Sequence, residues 1–277
     1  MKTVSHSQID TWQRCRLKWS FRYQTRIELP TQSPPLTSGK AIHTALEEVL
    51  SGNIELEDLA PMAEAALRHE LKGRDDQEDQ IGKYLPGVLR ALSRVPEWVY
   101  ENTDWRVEEE VHHTYRCGGH DPSLDSSCSD CFTFRGFIDL YRVTDTHIEL
   151  VDIKSSSKEL NPLNLMLFNP QHRYYAILLR YMYPDLPIFV RYLCVSTAAK
   201  TKKEVTDHEP WLMKNSVLDK AEKLMINSAR EVGELPIVPT YSGLCDWCDY
   251  KKICTATVAG LPGGEQAVIE EYYVERE

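Results

Sequence analysis

The sequence has no run of about 18 or more apolar residues, so nothing in it reads as a membrane span. It has no excess of positive charge either. Over 277 residues, 32 Lys and Arg stand against 42 Asp and Glu, a formal net charge of −10. Bulk charge of that sign repels phosphate and argues against a protein that coats nucleic acid non-specifically. The first residues, Met1-Lys2-Thr3-Val4-Ser5-His6, lack the apolar stretch of a secretory signal, which predicts a cytoplasmic protein. Internal repeats and low-complexity tracts are absent, and the length excludes a disulfide-stapled mini-protein. What the chain does have is eight cysteines. In a reducing compartment, clustered thiols point to metal rather than to disulfides.

Apolar periodicity organises the rest. Ser7–Arg26 carries Ile9, Trp12, Leu17, Trp19, Phe21 and Tyr23 and predicts one amphipathic helix, with Ser5 or Ser7 as its N-cap. Ser38–Leu50 predicts a second helix. Residues 57–100 read as helical with interruptions at 73–76, Pro86 and Pro96. The period then changes. Trp105–Tyr115, Phe132–Val143 and His147–Lys154 predict strands, the last two joined as an antiparallel hairpin through Thr144-Asp145-Thr146. Pro170–Tyr183 predicts a helix, Ile188–Val195 a strand and Trp211–Val232 a long helix.

The hairpin carries chemistry. Asp152 and Lys154 are two residues apart, so a strand puts them on one face, and antiparallel pairing can bring Asp139 beside them. Two carboxylates and an ammonium make poor core. They suit a hard divalent cation, which takes oxygen ligands, polarises a phosphodiester and lowers the pKa of bound water. The bland alternative is a surface Asp–Lys pair.

Gly136-Phe137-Ile138-Asp139, twelve residues, then Asp152-Ile153-Lys154-Ser155 resembles the PD-(D/E)XK nuclease superfamily. More narrowly it is similar to the RecB-like branch, which includes the AddB C-terminal nuclease and stand-alone exonucleases of CRISPR adaptation. The resemblance implies an α/β fold with a restriction-endonuclease-like mixed sheet flanked by helices. It implies a metal-dependent deoxyribonuclease, an exonuclease on DNA ends or single strands. His43, in Gly39-Lys40-Ala41-Ile42-His43, matches the branch's helical metal ligand. Mg²⁺ or Mn²⁺ would be held by His43, Asp139, Asp152 and the Ile153 carbonyl, with Lys154 positioning the water. Glu47, one turn after His43, could support it. Gln171 and Tyr175 match a Gln-x-x-x-Tyr motif, and their spacing of four puts them on one helix face. Such proteins work with recombinases, helicases or CRISPR adaptation proteins, in repair, recombination or defence.

Cys245, Cys248 and Cys254 offer three ligands within ten positions, with Cys15 as the best candidate for the fourth. The segment Ser7–Cys15 and the Cys-x2-Cys-x5-Cys pattern resemble the AddB-type arrangement, which implies a structural [4Fe–4S] cluster clasping the first helix to the last segment. A zinc ion on the same four thiols is the alternative. Cys117, His120, Cys128 and Cys131 have zinc-knuckle spacing, with His112 or His113 as alternative fourth ligands. That assignment rests on spacing alone. Cys194, inside an apolar strand, reads as a buried free thiol.

Basic residues crowd the first helix and the cysteine segment. Arg14, Lys18, Lys251 and Lys252 are the candidate phosphate contacts, with Trp12, Trp19 and Trp247 for base stacking. The expected organisation is one nuclease domain over 1–277. A helical part (1–103) carries Cys15 and His43, a sheet core (104–209) holds the 117–131 insertion, the clasp spans 210–260, and an acidic tail spans 261–277. Two other functional classes compete: a non-catalytic DNA-binding adaptor for a helicase or recombinase, and a zinc-only DNA-binding protein.

Overall fold

The computed structural model describes residues 2–29, 34–101, 104–116, 131–158, 160–198, 205–206, 208–260 and 264–275. In chain order, β1 (Lys2–Ser5) leads into α1 (His6–Arg14), α2 (Arg16–Trp19), a π-turn at Ser20–Gln24 and β2 (Ile27–Glu28). Four helices follow: α3 (Pro34–Leu50), α4 (Leu59–Glu70), α5 (Gln77–Leu92) and α6 (Glu97–Glu101). Then come β3 (Arg106–Tyr115), β4 (Phe132–Val143), β5 (Ile148–Ser156), α7 (Pro162–Phe168), α8 (Gln171–Met182) and β6 (Ile188–Ser196). The chain ends with β7 (Val205–Thr206), β8 (Trp211–Leu212), α9 (Asn215–Glu231), α10 (Lys251–Ala259), α11 (Gly264–Tyr272) and β9 (Val274–Glu275).

These elements group into two compact units. One comprises residues 31–112 and 136–221, the other residues 1–30, 113–135 and 222–277. The first is built on a mixed sheet. β4 and β5 pair antiparallel from Val143–Ile148 up to Leu140–Val151, β5 and β6 pair parallel along their whole lengths, and β7 and β8 add antiparallel to β6. One face of this sheet buries Leu140, Val151, Ile153, Leu193 and Val195 against Ala41, Ile42, Ala45 and Leu46 of α3 and the apolar stripes of α4 and α5. The opposite face, set by the same period-2 alternation, carries Asp152, Lys154, Tyr192 and Cys194 and receives α8. This is the mixed α/β architecture of the restriction-endonuclease type, with helices on both faces of a central sheet.

In the other unit, β1 runs parallel to the first residues of β4, Lys2 opposite Phe132 through Ser5 opposite Arg135. The Lys2 ammonium donates to the carbonyls of Ala229 and Val232, the C-terminal end of α9, where a cation also complements the helix dipole. A small core of Leu17, Phe21, Ile27, Tyr250, Ile253 and Tyr273 packs the N-terminal helices against α10.

Several sequence expectations change. Ser7–Arg26 is not one helix. Cys15 adopts extended backbone (φ −163°, ψ 112°), ending α1 and starting α2, and its Sγ accepts the Lys18 N–H in the manner of an N-cap. Trp211 and Leu212 do not begin the last long helix. They pair with Val190 and Phe189, because their alternation serves a strand as well as a helix, and α9 starts only at Asn215. Pro86 does not interrupt α5, which runs through it at the loss of one backbone hydrogen bond. The short helix α7 has no counterpart in the sequence reading. Cys117, His120 and Cys128 lie outside the described residues, while Cys131 is described and buried. Among the described residues, no helix is long and apolar enough to cross a membrane.

Ser5 is the N-cap of α1. Its Oγ accepts the Gln8 N–H at 3.2 Å and the Gln8 side chain accepts the Ser5 N–H at 3.2 Å, a complete capping box. Ser5→Ala is expected to cost about 1 kcal/mol in chemical denaturation. A change under a few tenths would show that the cap contributes nothing.

Candidate metal centre and cysteine clasp

The β4–β5 ladder ends at Leu140 and Val151, one step before the two acids would face each other. There the Asp139 side chain takes over from the backbone, Oδ2 accepting the Ile153 N–H at 2.7 Å. That bond fixes one oxygen and leaves the other, Oδ1, directed toward His43, whose Nδ1 lies 3.8 Å away. His43 stands on α3 in the stretch that packs on the sheet, so helix burial aims the imidazole at the strand ends.

A third ligand type arrives from β3. Glu108 Oε1 lies 3.5 Å from His43 Nδ1. Glu108 has φ +46°, a left-handed conformation that costs a non-glycine residue on the order of 1–3 kcal/mol and re-aims a strand side chain. Among the described residues, His43, Glu108 and Asp139 form the one group whose ligand atoms all lie within 4.8 Å of one another. Sequence reasoning missed Glu108, since it is one of three successive glutamates. The available signal was the run itself, because glutamate is depleted in strands and three in one strand need a reason. Glu47, expected to support His43, lies within electrostatic reach of it and of Glu108.

Asp152 is 1% exposed, and its Oδ1 has no hydrogen-bond donor among the described residues. Its Oδ2 lies 2.6 Å from the Lys154 ammonium. Lys154 donates to Gln171 Oε1 at 3.2 Å, and Gln171 Nε2 donates to the Tyr175 hydroxyl at 3.0 Å. The Gln-x-x-x-Tyr face thus braces the lysine. Gly136 makes room for this brace, since a Cβ there would stand 2.7 Å from Tyr175 Cε1.

Electrostatics follow from crowding acids in a buried place. Burial, then the Asp152 charge, pushes Asp139 up to about 7, against the pull of His43 and Lys154. Burial works against the His43 cation, yet Glu108 and Asp139 raise its pKa above the usual value. Burial likewise opposes the Lys154 cation, but Asp152 and Asp139 outweigh it and keep the ammonium charged. Burial pushes the Tyr175 phenol far above its ordinary range, so it stays neutral. A buried carboxylate oxygen without a donor, beside a second carboxylate whose pKa burial and a neighbouring acid raise, is a donor set that fits a hard divalent cation.

In the N- and C-terminal unit, the helix break at Cys15 turns its thiol toward the loop before α10. The Thr240 N–H and the Lys18 N–H both donate to Cys15 Sγ at 3.5 Å, and the Ser242 N–H donates to Cys245 Sγ at 3.4 Å. Burial, then the neighbouring Cys15, Cys248 and Cys245, raises the Cys254 pKa, so Cys254 lies within electrostatic reach of the other three. Backbone N–H groups aimed at sulfur are what ligating thiolates require. The four expected phosphate contacts are differently engaged. Arg14 pairs with Asp10 at 2.9 Å, Lys251 pairs with Asp246 at 2.8 Å, and Lys252 lies 3.2 Å over the Tyr272 ring. Lys18 lies in α2 beside Cys15. Trp12 and Trp19 are buried edge-to-face on each other at 4.9 Å and are not available for stacking, whereas Trp247 is 87% exposed. Cys194 is buried as expected, beside Lys154, and burial pushes its thiol up to about 12.

Two outcomes are expected from this geometry. Because the folded pKa of Asp139 lies above the ordinary carboxylate value of about 4, ionising it costs the metal-free protein stability as pH rises through about 7. Asp139→Asn, which keeps an acceptor for the Ile153 N–H, should therefore raise the melting temperature at pH 8 in chelator and change it little at pH 4. An equal shift at both pH values would contradict the crowding argument. Gly136→Ala should displace Tyr175 and lower any activity of the site with little loss of folded content by circular dichroism; unchanged activity would show that the brace is dispensable.

The sequence profile of the PD-(D/E)XK nuclease superfamily matches residues 3–255. No curated protein matches the chain. Among solved structures, a "Putative exonuclease" from Eubacterium rectale superposes with a TM-score of 0.50 at 13% identity, covering 90% of this chain and 88% of that one. The structure of SSO0001 gives a TM-score of 0.34 at 12% identity, over 78% and 83% of the two chains. The profile match spans nearly the whole chain and takes in His43, the paired acids, the lysine and all four of Cys15, Cys245, Cys248 and Cys254: the chain belongs to the PD-(D/E)XK nuclease superfamily.

Proposed function

We propose that this protein is a divalent-metal-dependent DNA exonuclease acting on ends or single strands. The observation that carries the reading is the convergence of Asp139, Asp152, Lys154, His43 and Glu108 where β4 and β5 part. His43, Glu108, Asp139 and Asp152, with the Ile153 carbonyl, are the residues that would hold Mg²⁺ or Mn²⁺. That cation supplies Lewis acidity toward a phosphodiester oxygen and makes bound water a better nucleophile. The chain's own groups do the rest. Asp139, tied by one oxygen to the Ile153 amide, cannot rotate away from His43. Lys154, charged and held between Asp152 and Gln171, orients the attacking water and stabilises negative charge developing on the phosphate. Tyr175 stays neutral and fixes the Gln171 amide so that its oxygen faces the ammonium.

Cys15, Cys245, Cys248 and Cys254 are read as the ligands of a [4Fe–4S] cluster with a structural role. Support comes from the three N–H···S bonds, the resemblance of the spacing to the AddB type and the packing of Cys15, Cys248 and Cys254 on one small core. The Cys117, His120, Cys128 and Cys131 set remains a proposed zinc knuckle on spacing.

Asp152→Ala and Lys154→Ala should each lower Mn²⁺-dependent cleavage of a labelled single-stranded oligonucleotide by at least about a hundredfold. Both should leave the visible absorption of the anaerobically purified protein intact. Retained cleavage in either variant overturns the site assignment. Cys248→Ala should lose the brown colour and bound iron; stoichiometric zinc and no iron in the wild type would overturn the cluster.

A further inference from the structure

The short helix α7 stands between the strand bearing Asp152 and Lys154 and the helix bearing Gln171 and Tyr175. Its sequence, Pro162-Leu-Asn-Leu-Met-Leu-Phe168, carries no charge. It leaves Phe168 78%, Leu163 55% and Leu167 54% exposed. Isolated exposed leucines need no explanation, but here Leu163 and Leu167, four apart, share one helix face and Phe168 follows at its end, an apolar patch on seven residues.

The patch is held rigidly. Asn161 Oδ1 caps the helix start, accepting from Leu163 N at 2.9 Å and Asn164 N at 3.3 Å. At its other end, Arg173 on α8 donates to the carbonyls of Met166 at 2.6 Å and Leu167 at 3.1 Å. The Tyr192 hydroxyl, on the β6 residue paired with Asp152, donates to Leu165 O at 3.4 Å. The elements that aim the acids and the lysine therefore also aim α7. Gln171 comes three residue steps after Phe168, a reach of at most about 11 Å.

We infer that α7 is a base platform: Phe168, flanked by Leu163 and Leu167, receives unstacked nucleobases of the strand whose phosphodiester lies at Asp139 and Asp152. This rests on the nuclease reading and specifies its substrate as a strand with splayed bases. An aromatic face beside a guanidinium is the combination that binds single strands without sequence preference, and Arg173 supplies that cation at the end of the patch. Continuity with the site favours nucleobases over a protein partner, because any strand threaded through the acids must lay its next nucleotides within about that reach of Gln171. Paired bases in a duplex keep their faces stacked and offer Phe168 nothing.

The test is fluorescence anisotropy with the full-length chain in chelator, using a 20-nucleotide oligothymidylate and an abasic oligomer of equal length. Phe168→Ala should weaken oligothymidylate binding about tenfold and leave abasic binding unchanged, and Phe168→Trp should restore it. Equal losses on both oligomers, no loss on either, or failure of Trp to rescue overturns the platform. So does loss of self-association in Phe168→Ala by sedimentation with oligothymidylate affinity unchanged, which assigns the patch to a second copy of the chain. If the wild type cleaves neither single strands nor duplex ends, the nuclease reading fails and the platform with it; if it cleaves duplex ends but does not bind single strands, the platform alone fails. If the wild type cleaves while Phe168→Ala binds normally, the platform alone fails.

Discussion

At Asp139 a side chain stands where a backbone carbonyl would otherwise be. The sheet could have continued its ladder one residue further, but the carboxylate accepts the Ile153 amide instead, so the strands part without orphaning a buried donor. The rest of the site depends on that exchange. It holds open the space between β4 and β5, anchors one Asp139 oxygen so that the other faces His43, and sets Asp139 in a buried place near the Asp152 charge, where Asp139 resists ionising. Burial makes the arrangement unfavourable in the absence of a cation, and that same unfavourable term becomes cation affinity once the charge is met.

Around this exchange the protein spends local stability in small amounts. Glu108 sits in a left-handed conformation inside a strand. Gly136 gives up a side chain so that Tyr175 can lie against β4 and reach Gln171. Cys15 breaks an otherwise continuous helical pattern. Each departure from regular structure lets a side chain reach a place that regular structure would not allow.

Much of this was readable in the sequence, and the reasons for the exceptions are physical. The alternation in Phe132–Val143 and His147–Lys154 fixed the hairpin and the shared face of Asp152 and Lys154, because one-sided burial specifies register strongly. Gln171 and Tyr175 came from the resemblance to a Gln-x-x-x-Tyr motif, and helical spacing added that the two share a face. Glu108 escaped because no phase shift in the β3 pattern marks it; its selection over Glu109 and Glu110 is a matter of one backbone dihedral. The break at Cys15 escaped because apolar positions continue at helical spacing on both sides of it. The strand at Trp211–Leu212 and the helix α7 are too short for periodicity to resolve, and the burial of Trp12 and Trp19 depends on contacts far along the chain. The acidic total, −10, misled only as an average. It includes the carboxylates that crowd the site.

The discontinuity of the two units has a consequence for synthesis. Residues 31–112 and 136–221 are all polymerised before the clasp segment exists, whereas the other unit needs residues near both ends, Cys15 and Cys254 among them. Domains fold as their chain emerges, at about 5–20 residues per second. The acid-bearing unit can therefore gather its core on the ribosome while the N-terminal helices wait unpartnered, with Leu17 and Phe21 uncovered until Tyr250 and Ile253 are made. The order of translation makes the packing of Tyr250 and Ile253 onto Leu17 and Phe21 a late event, and the interval before it the one in which the nascent protein is most open to misassembly.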